Sequence, residues 1–96
     1  MANALVSIQI IPSTPNGESV IPYVDKAIEV IQQSGVKYLV SPLETTMEGE
    51  LGELLSIINK MNEVMVAEGC ASVISQVKIY HRPEGASMDV LTEKYR

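Results

Sequence analysis

The sequence predicts an α+β domain in which two helices cover one face of an antiparallel sheet. Three observations carry that expectation. Apolar residues alternate or cluster in four short β-prone stretches, they recur at helical spacing in two longer ones, and glycine or proline punctuates the boundaries. The resulting order, β-α-β-β-α-β, is the ferredoxin-like arrangement, the simplest layout that right-handed crossovers allow for these elements.

Leu5 to Ile11 sets Val6, Ile8 and Ile10 against Ser7 and Gln9, the two-residue alternation of a strand. The run Pro12-Ser-Thr-Pro-Asn-Gly17 ends it with dense turn chemistry. From Ser19 the period changes: Val20, Val24, Ala27, Ile28 and Ile31 share a helical stripe. Asn16 or Ser19 is placed to cap its start, and Gly35 stands where a left-handed C-terminal cap belongs. Val36 to Val40 and Leu43 to Glu48 read as two strands joined at Ser41-Pro42 into a hairpin. Gly49-Glu50 opens a second helix with the stripe Leu51, Leu54, Leu55, Ile58, Met61 and Met65, and Gly69 ends it. Val73 to Tyr80, rich in β-branched residues, is the last strand. One domain therefore spans residues 1–96, with a core over 5–82 and a short polar tail over 83–96 that holds a turn or helix around Met88 to Lys94.

This layout leaves one sheet face bare. Val6, Ile8 and Ile10 are expected to face the helices, with Leu5, Ser7, Gln9 and Ile11 on the open face. In the last strand Ile74, Gln76, Lys78 and Tyr80 go to the open face, because glutamine and lysine are costly to bury alone. In the third strand Glu44, Thr46 and Glu48 share one face, opposite Leu43, Thr45 and Met47. An apolar face with polar residues embedded in it suits a subunit interface that holds a polar site.

Composition narrows the function. With 46% hydrophobic residues but four tyrosines and no Trp or Phe, the core is aliphatic. So much aliphatic side chain in 96 residues predicts a homo-oligomer, since exposed apolar patches mark interfaces. The net charge of −5, with no cluster of basic residues, argues against nucleic acid and against anionic membrane surfaces as partners. No apolar run is long enough to span a bilayer, and the N-terminal residues lack the features of a signal peptide, so the cytoplasm is the expected compartment. The single cysteine, Cys70, cannot form an intrachain disulfide and reads as a packed structural thiol.

Catalytic chemistry finds little support. His81 is the one histidine and sits beside Arg82-Pro83 at a strand end, in solvent. One His and one Cys are too few for a zinc site, no nucleophile triad can be assembled, and no glycine-rich phosphate loop is present. No enzyme activity, cofactor or metal is therefore expected. The acidic segment is more informative: six glutamates and one lysine lie between Glu44 and Glu68. Glu50 and Glu53 suit the first turn of a helix, and Glu63 and Glu68 a solvated helix face. Glu44 and Glu48 have no such account. Their partner is a cross-strand lysine such as Lys78, the solvent at an exposed rim, or a ligand.

The stretch Ser41-Pro-Leu-Glu-Thr-Thr-Met-Glu-Gly-Glu50 resembles the Pro-x-x-Thr-x-x-Glu-Gly-Glu signature of the small thiamine-binding protein family, long known as a domain of unknown function. The first strand leading into Pro12, Ser-Gly-Val-Lys-Tyr38 after the first helix, and Val-Lys-Ile-Tyr-His-Arg82 at the end fit the same pattern, so the resemblance runs from about Leu5 to Arg82. It departs at Glu44, a position often small in the family. The resemblance implies a ferredoxin-like dimer or tetramer that binds thiamine or its hydroxymethylpyrimidine moiety without catalysis. A carboxylate would offset the thiazolium charge, Thr, Gln or Glu would pair with the aminopyrimidine, and Tyr38 or Tyr80 would offer a stacking face. The lack of a basic cluster favours unphosphorylated thiamine over its diphosphate. On these grounds Gln9, Tyr38, Glu44, Thr45, Thr46 and Glu48 are the candidate ligand residues, on the open face near the end of the third strand. The alternatives are a structural or regulatory oligomer without a ligand, and a cofactor-free enzyme of the dimeric-barrel type.

Overall fold

The computed structural model describes residues 2–96. Strand β1 (Ala4–Pro12) leads through a 3₁₀ turn at Pro15–Gly17 to helix α1 (Ile21–Ser34). Strands β2 (Lys37–Val40) and β3 (Thr45–Gly49) form the hairpin, and helix α2 (Leu51–Ala67) and strand β4 (Val73–His81) follow. Helix α3 (Met88–Thr92) and a 3₁₀ turn at Glu93–Tyr95 end the described chain. The sheet order is β2-β3-β1-β4 with every pairing antiparallel, so the ferredoxin-like βαββαβ arrangement is what forms.

Residues directly opposite in an antiparallel pair share a face. Val6 lies opposite Met47 on one side and Ile79 on the other, and Ile8 opposite Thr45 and Val77, so all six point toward the helices. Ser7, between Thr46 and Lys78, and Leu5, between Glu48 and Tyr80, point the other way. Both face assignments expected for β1 and β4 therefore hold. Val6, Ile31, Met47, Leu54, Met61 and Met65 are sealed between sheet and helices. Each such side chain contributes about 1.5–3 kcal/mol by leaving water.

Local chemistry sets the boundaries, in places differently from the sequence expectation. Gly35 does adopt the left-handed conformation, φ 81°, that stops α1. At the start of α1 Val20 occupies the cap position, while the Ser19 hydroxyl accepts from the Ile21 amide at 3.3 Å and Asn16 stays in the preceding turn. β3 begins at Thr45 and not at Leu43, because Pro42 and Leu43 form a tight loop closed by the Ser41 amide donating to the Glu44 carbonyl at 2.9 Å. The α2 stripe includes Ile57, which is buried, and excludes Leu55, which is 42% exposed. The helix lies along the sheet on one narrow stripe, and Leu55 sits about 100° around from Leu54. Gly69, φ 97°, closes α2 with a Schellman pair: its amide reaches Val66 O at 3.0 Å and the Cys70 amide reaches Met65 O at 3.1 Å. That turn places Cys70 in the buried core.

The tail behaves differently from a solvated polar extension. Arg82 N–H donates to Asn3 O at 2.8 Å and Ala86 N–H to Ala2 O at 3.0 Å, which folds the chain back over the open face. Ala86 and Met88 then bury against Leu5, and Lys37 pairs with Asp89. The hydrogen bond from Lys37 to Asp89 holds the lysine pKa above its ordinary value.

Two outcomes follow from this packing. Met47→Ala should cost about 2–5 kcal/mol in urea unfolding, while Leu55→Ala should cost under about 1 kcal/mol; equal losses would contradict the placement of the α2 stripe. Cys70 should react with a thiol reagent slowly in the native protein and rapidly in denaturant, since burial keeps the reagent from the sulfur.

Candidate ligand cleft

At one end of the sheet the helical layer stops short. The first turns of α1 and the β2–β3 loop stand apart over the middle of β1 and enclose a cleft of about 370 Å³. Val20, Ile21, Val24, Asp25 and Ile28 line it from the α1 side, Ile8, Gln9 and Ile10 from β1, and residues 40–45 from the loop, with Met61 behind them. Its size falls within the range of small-molecule sites, and its walls are mainly aliphatic with a few polar groups, as such sites usually are. Ile21, Val40 and Leu43 stand out at the rim, Leu43 at 78% exposure because it occupies the tight loop. Asp25 and Glu44 are the charged side chains of the lining; no lysine, arginine or histidine belongs to it. Gln9, Ser41 and Thr45 supply neutral donors and acceptors. The cleft can therefore neutralise a cation and hydrogen-bond a polar ring against apolar walls.

The open face carries two shallower hollows of about 190 and 300 Å³, both lined by Ser7, Glu44 and Lys78. Among the described residues the Ser7 hydroxyl there, which is buried, has no hydrogen-bond partner. Among the described residues neither Glu44 nor Lys78 takes part in an ion pair. The cross-strand lysine is thus not what neutralises Glu44.

The structure divides the six candidate residues among different surroundings. Gln9 and Glu44 stand where cleft and open face meet and line both. Thr45, 6% exposed, turns into the cleft, whereas Thr46 turns to the open-face hollow beside Tyr80. Tyr38 lies opposite Met47, so its ring is on the helix side, packed against the core and away from both spaces. Glu48 is on the open face but its carboxylate accepts the Met88 amide at 2.8 Å, anchoring α3. The six therefore do not line one space: Thr45 and Thr46 lie on opposite sides, as the alternation of the strand predicts, and the returning tail occupies Glu48. Asp25 and the α1 side of the cleft went unread in the sequence. The available signal was that Ile21, Val24 and Ile28 extend the apolar stripe beyond what the core needs.

His81 is exposed at the end of β4, and Cys70 is buried before its start, with roughly 25 Å of strand between them. Among the described residues no group of three or more His, Cys, Asp or Glu is placed to hold a metal ion, and no helix is long and apolar enough to cross a membrane.

These features define a class: a small ferredoxin-like α+β protein with an acidic, largely aliphatic cleft at one end of its sheet. The chain belongs to the thiamine-binding protein family, whose sequence profile matches residues 6–96. It is 46% identical over 91 residues to the UPF0045 protein CPE1503 of Clostridium perfringens, covering 95% of each chain. Among solved structures, a domain of unknown function, DUF77, from Bacillus cereus superposes with a TM-score of 0.91 at 40% identity, over 99% of this chain and 92% of that one. A Thermotoga maritima protein provisionally described as acting in thiamine biosynthesis or salvage gives 0.86 at 29% identity, over 98% and 99%.

The reassignment of Glu48 is open to test. Glu48→Ala should undock α3 at a local cost of about 1–3 kcal/mol. The amides of Met88 to Thr92 should then exchange faster while those of α2 keep their protection; uniform loosening, or none, would remove the anchoring role.

Proposed function

We propose that this protein is a non-catalytic binder of thiamine or its hydroxymethylpyrimidine moiety, works as a homo-oligomer, and holds the ligand in the cleft beneath α1. The observation that carries the ligand class is the charge of the lining: Asp25 and Glu44 without a single basic side chain. A thiazolium cation gains from two nearby carboxylates in a partly apolar site, where the attraction is less screened than in water. Gln9, Ser41 and Thr45 match the donor and acceptor edges of an aminopyrimidine, and the aliphatic walls cover its faces. The family membership supports the same ligand. A diphosphate would meet carboxylates with no cation to offset it, so the unphosphorylated forms fit better. The open-face hollows, with Lys78 in both, suit a cation less well.

Self-association has its own support. Ile11, Ile74 and Tyr80 are 41%, 63% and 44% exposed on the open face, around the unpartnered Ser7 hydroxyl. Surfaces of this kind are usually covered by another subunit.

Calorimetry with thiamine, thiamine diphosphate and hydroxymethylpyrimidine tests the reading. Thiamine should bind and its diphosphate should bind more weakly. Glu44→Gln should weaken thiamine by roughly 1.5–3 kcal/mol and Thr45→Val by about 0.5–1.5 kcal/mol. Thr46→Val, on the far side of the strand, should leave affinity unchanged; a loss there with none at Thr45 would move the ligand to the open face. No binding of any of the three by the parent would leave a structural oligomer as the better description.

A further inference from the structure

Glu44 is the one charged residue that borders both the cleft and the open-face hollows. It stands one residue before Thr45, whose pairing with Ile8 ends the β1–β3 ladder. It therefore lies beside Gln9, where β3 no longer separates the two sides of the sheet. Its backbone is fixed, because the Ser41 amide donates to its carbonyl at 2.9 Å. Its half-buried carboxylate is uncommitted and forms no ion pair among the described residues.

The charges on the two sides differ in sign. Asp25 of α1 is the other charged group of the cleft, and it repels the Glu44 carboxylate. Lys78 of β4, opposite Ser7, is the other charged group of both hollows, and it attracts that carboxylate. Between them β1 contributes no charge, only Leu5, Ser7 and Gln9. Tyr80 adds a phenol to the smaller hollow, and Glu48, the next acid on that face, is engaged by the Met88 amide. With the cleft empty, repulsion and attraction both send the Glu44 carboxylate toward Lys78. A cation in the cleft reverses the balance, since it attracts Glu44 and offsets Asp25.

We infer that Lys78 sets the affinity of the cleft for a cation without touching the ligand, by competing with it for the Glu44 carboxylate. The inference rests on the thiamine reading above and adds a positioning residue on the opposite face of the sheet. A bound cation gains only the difference between its own attraction for Glu44 and the attraction of Lys78 that is given up. The coupling is reciprocal: an occupied cleft leaves Lys78 without its carboxylate.

Calorimetry with thiamine on the parent, Lys78→Met, Glu44→Gln and the double variant tests the link. Lys78→Met should tighten binding by about two- to fivefold, the reach of an exposed charge pair. Lys78→Arg keeps the charge and should bind as the parent does. In the Glu44→Gln background Lys78→Met should change nothing. Unchanged or weaker binding by Lys78→Met overturns the inference. Equal tightening in both backgrounds also overturns it, because Lys78 would then act on the ligand directly through space. If the parent binds no thiamine, the function reading fails, and urea unfolding decides the link without ligand. Glu44→Gln should then depart from additivity with Lys78→Met, and in the opposite sense with Asp25→Asn, each by about twofold in the unfolding constant. Coupling to one neighbour alone, or to neither, shows that the carboxylate is not shared and overturns the inference.

Discussion

Strand β1 is hydrogen-bonded along both edges, to β3 and to β4, and its alternation decides what every neighbouring element presents. Val6, Ile8 and Ile10 enter the core; Ser7, Gln9 and Ile11 do not. Because the side-chain period is two, a slip of one residue would bury Ser7 and Gln9 and expose three aliphatic side chains. Each of those is worth about 1.5–3 kcal/mol, so the core enforces the register. The positions of Gln9 and Glu44 are consequences of that packing.

One register thus creates two surfaces of different character from the same few residues. Thr45 and Thr46 are adjacent in the chain yet belong to the cleft and the open face respectively. Glu44, just ahead of the strand, borders both. On the cleft side it is joined by Asp25, and the local field is negative; on the open side Lys78 stands nearby and the balance is mixed. The one lysine of β4, Lys78, stands on the face opposite the cleft.

The tail adds a second constraint at the far end of the open face. Its docking rests on the Glu48 carboxylate at the Met88 amide, the Lys37–Asp89 pair and the small Leu5–Ala86–Met88 cluster. It covers the sheet over Leu5. A carboxylate that looks unexplained on a strand is, in this case, a backbone acceptor for a helix forty residues later in the chain.

Much of the fold was determined by the sequence alone. The six elements, their order and the inward faces of β1 and β4 follow from periodicity, because a two-residue or 3.6-residue repeat of apolar side chains admits one way of burying them. Gly35 and Gly69 marked helix ends because left-handed backbone disfavours other residues there. The family signature from Ser41 to Glu50 was likewise readable from the order of its residues. Only the tertiary structure decided which motif residues share a space. It turned Tyr38 into the helix layer, gave Glu48 to the tail and brought Asp25 into the same cleft as Glu44. Those outcomes depend on contacts between segments distant in the chain, whose geometry no local pattern of residues encodes.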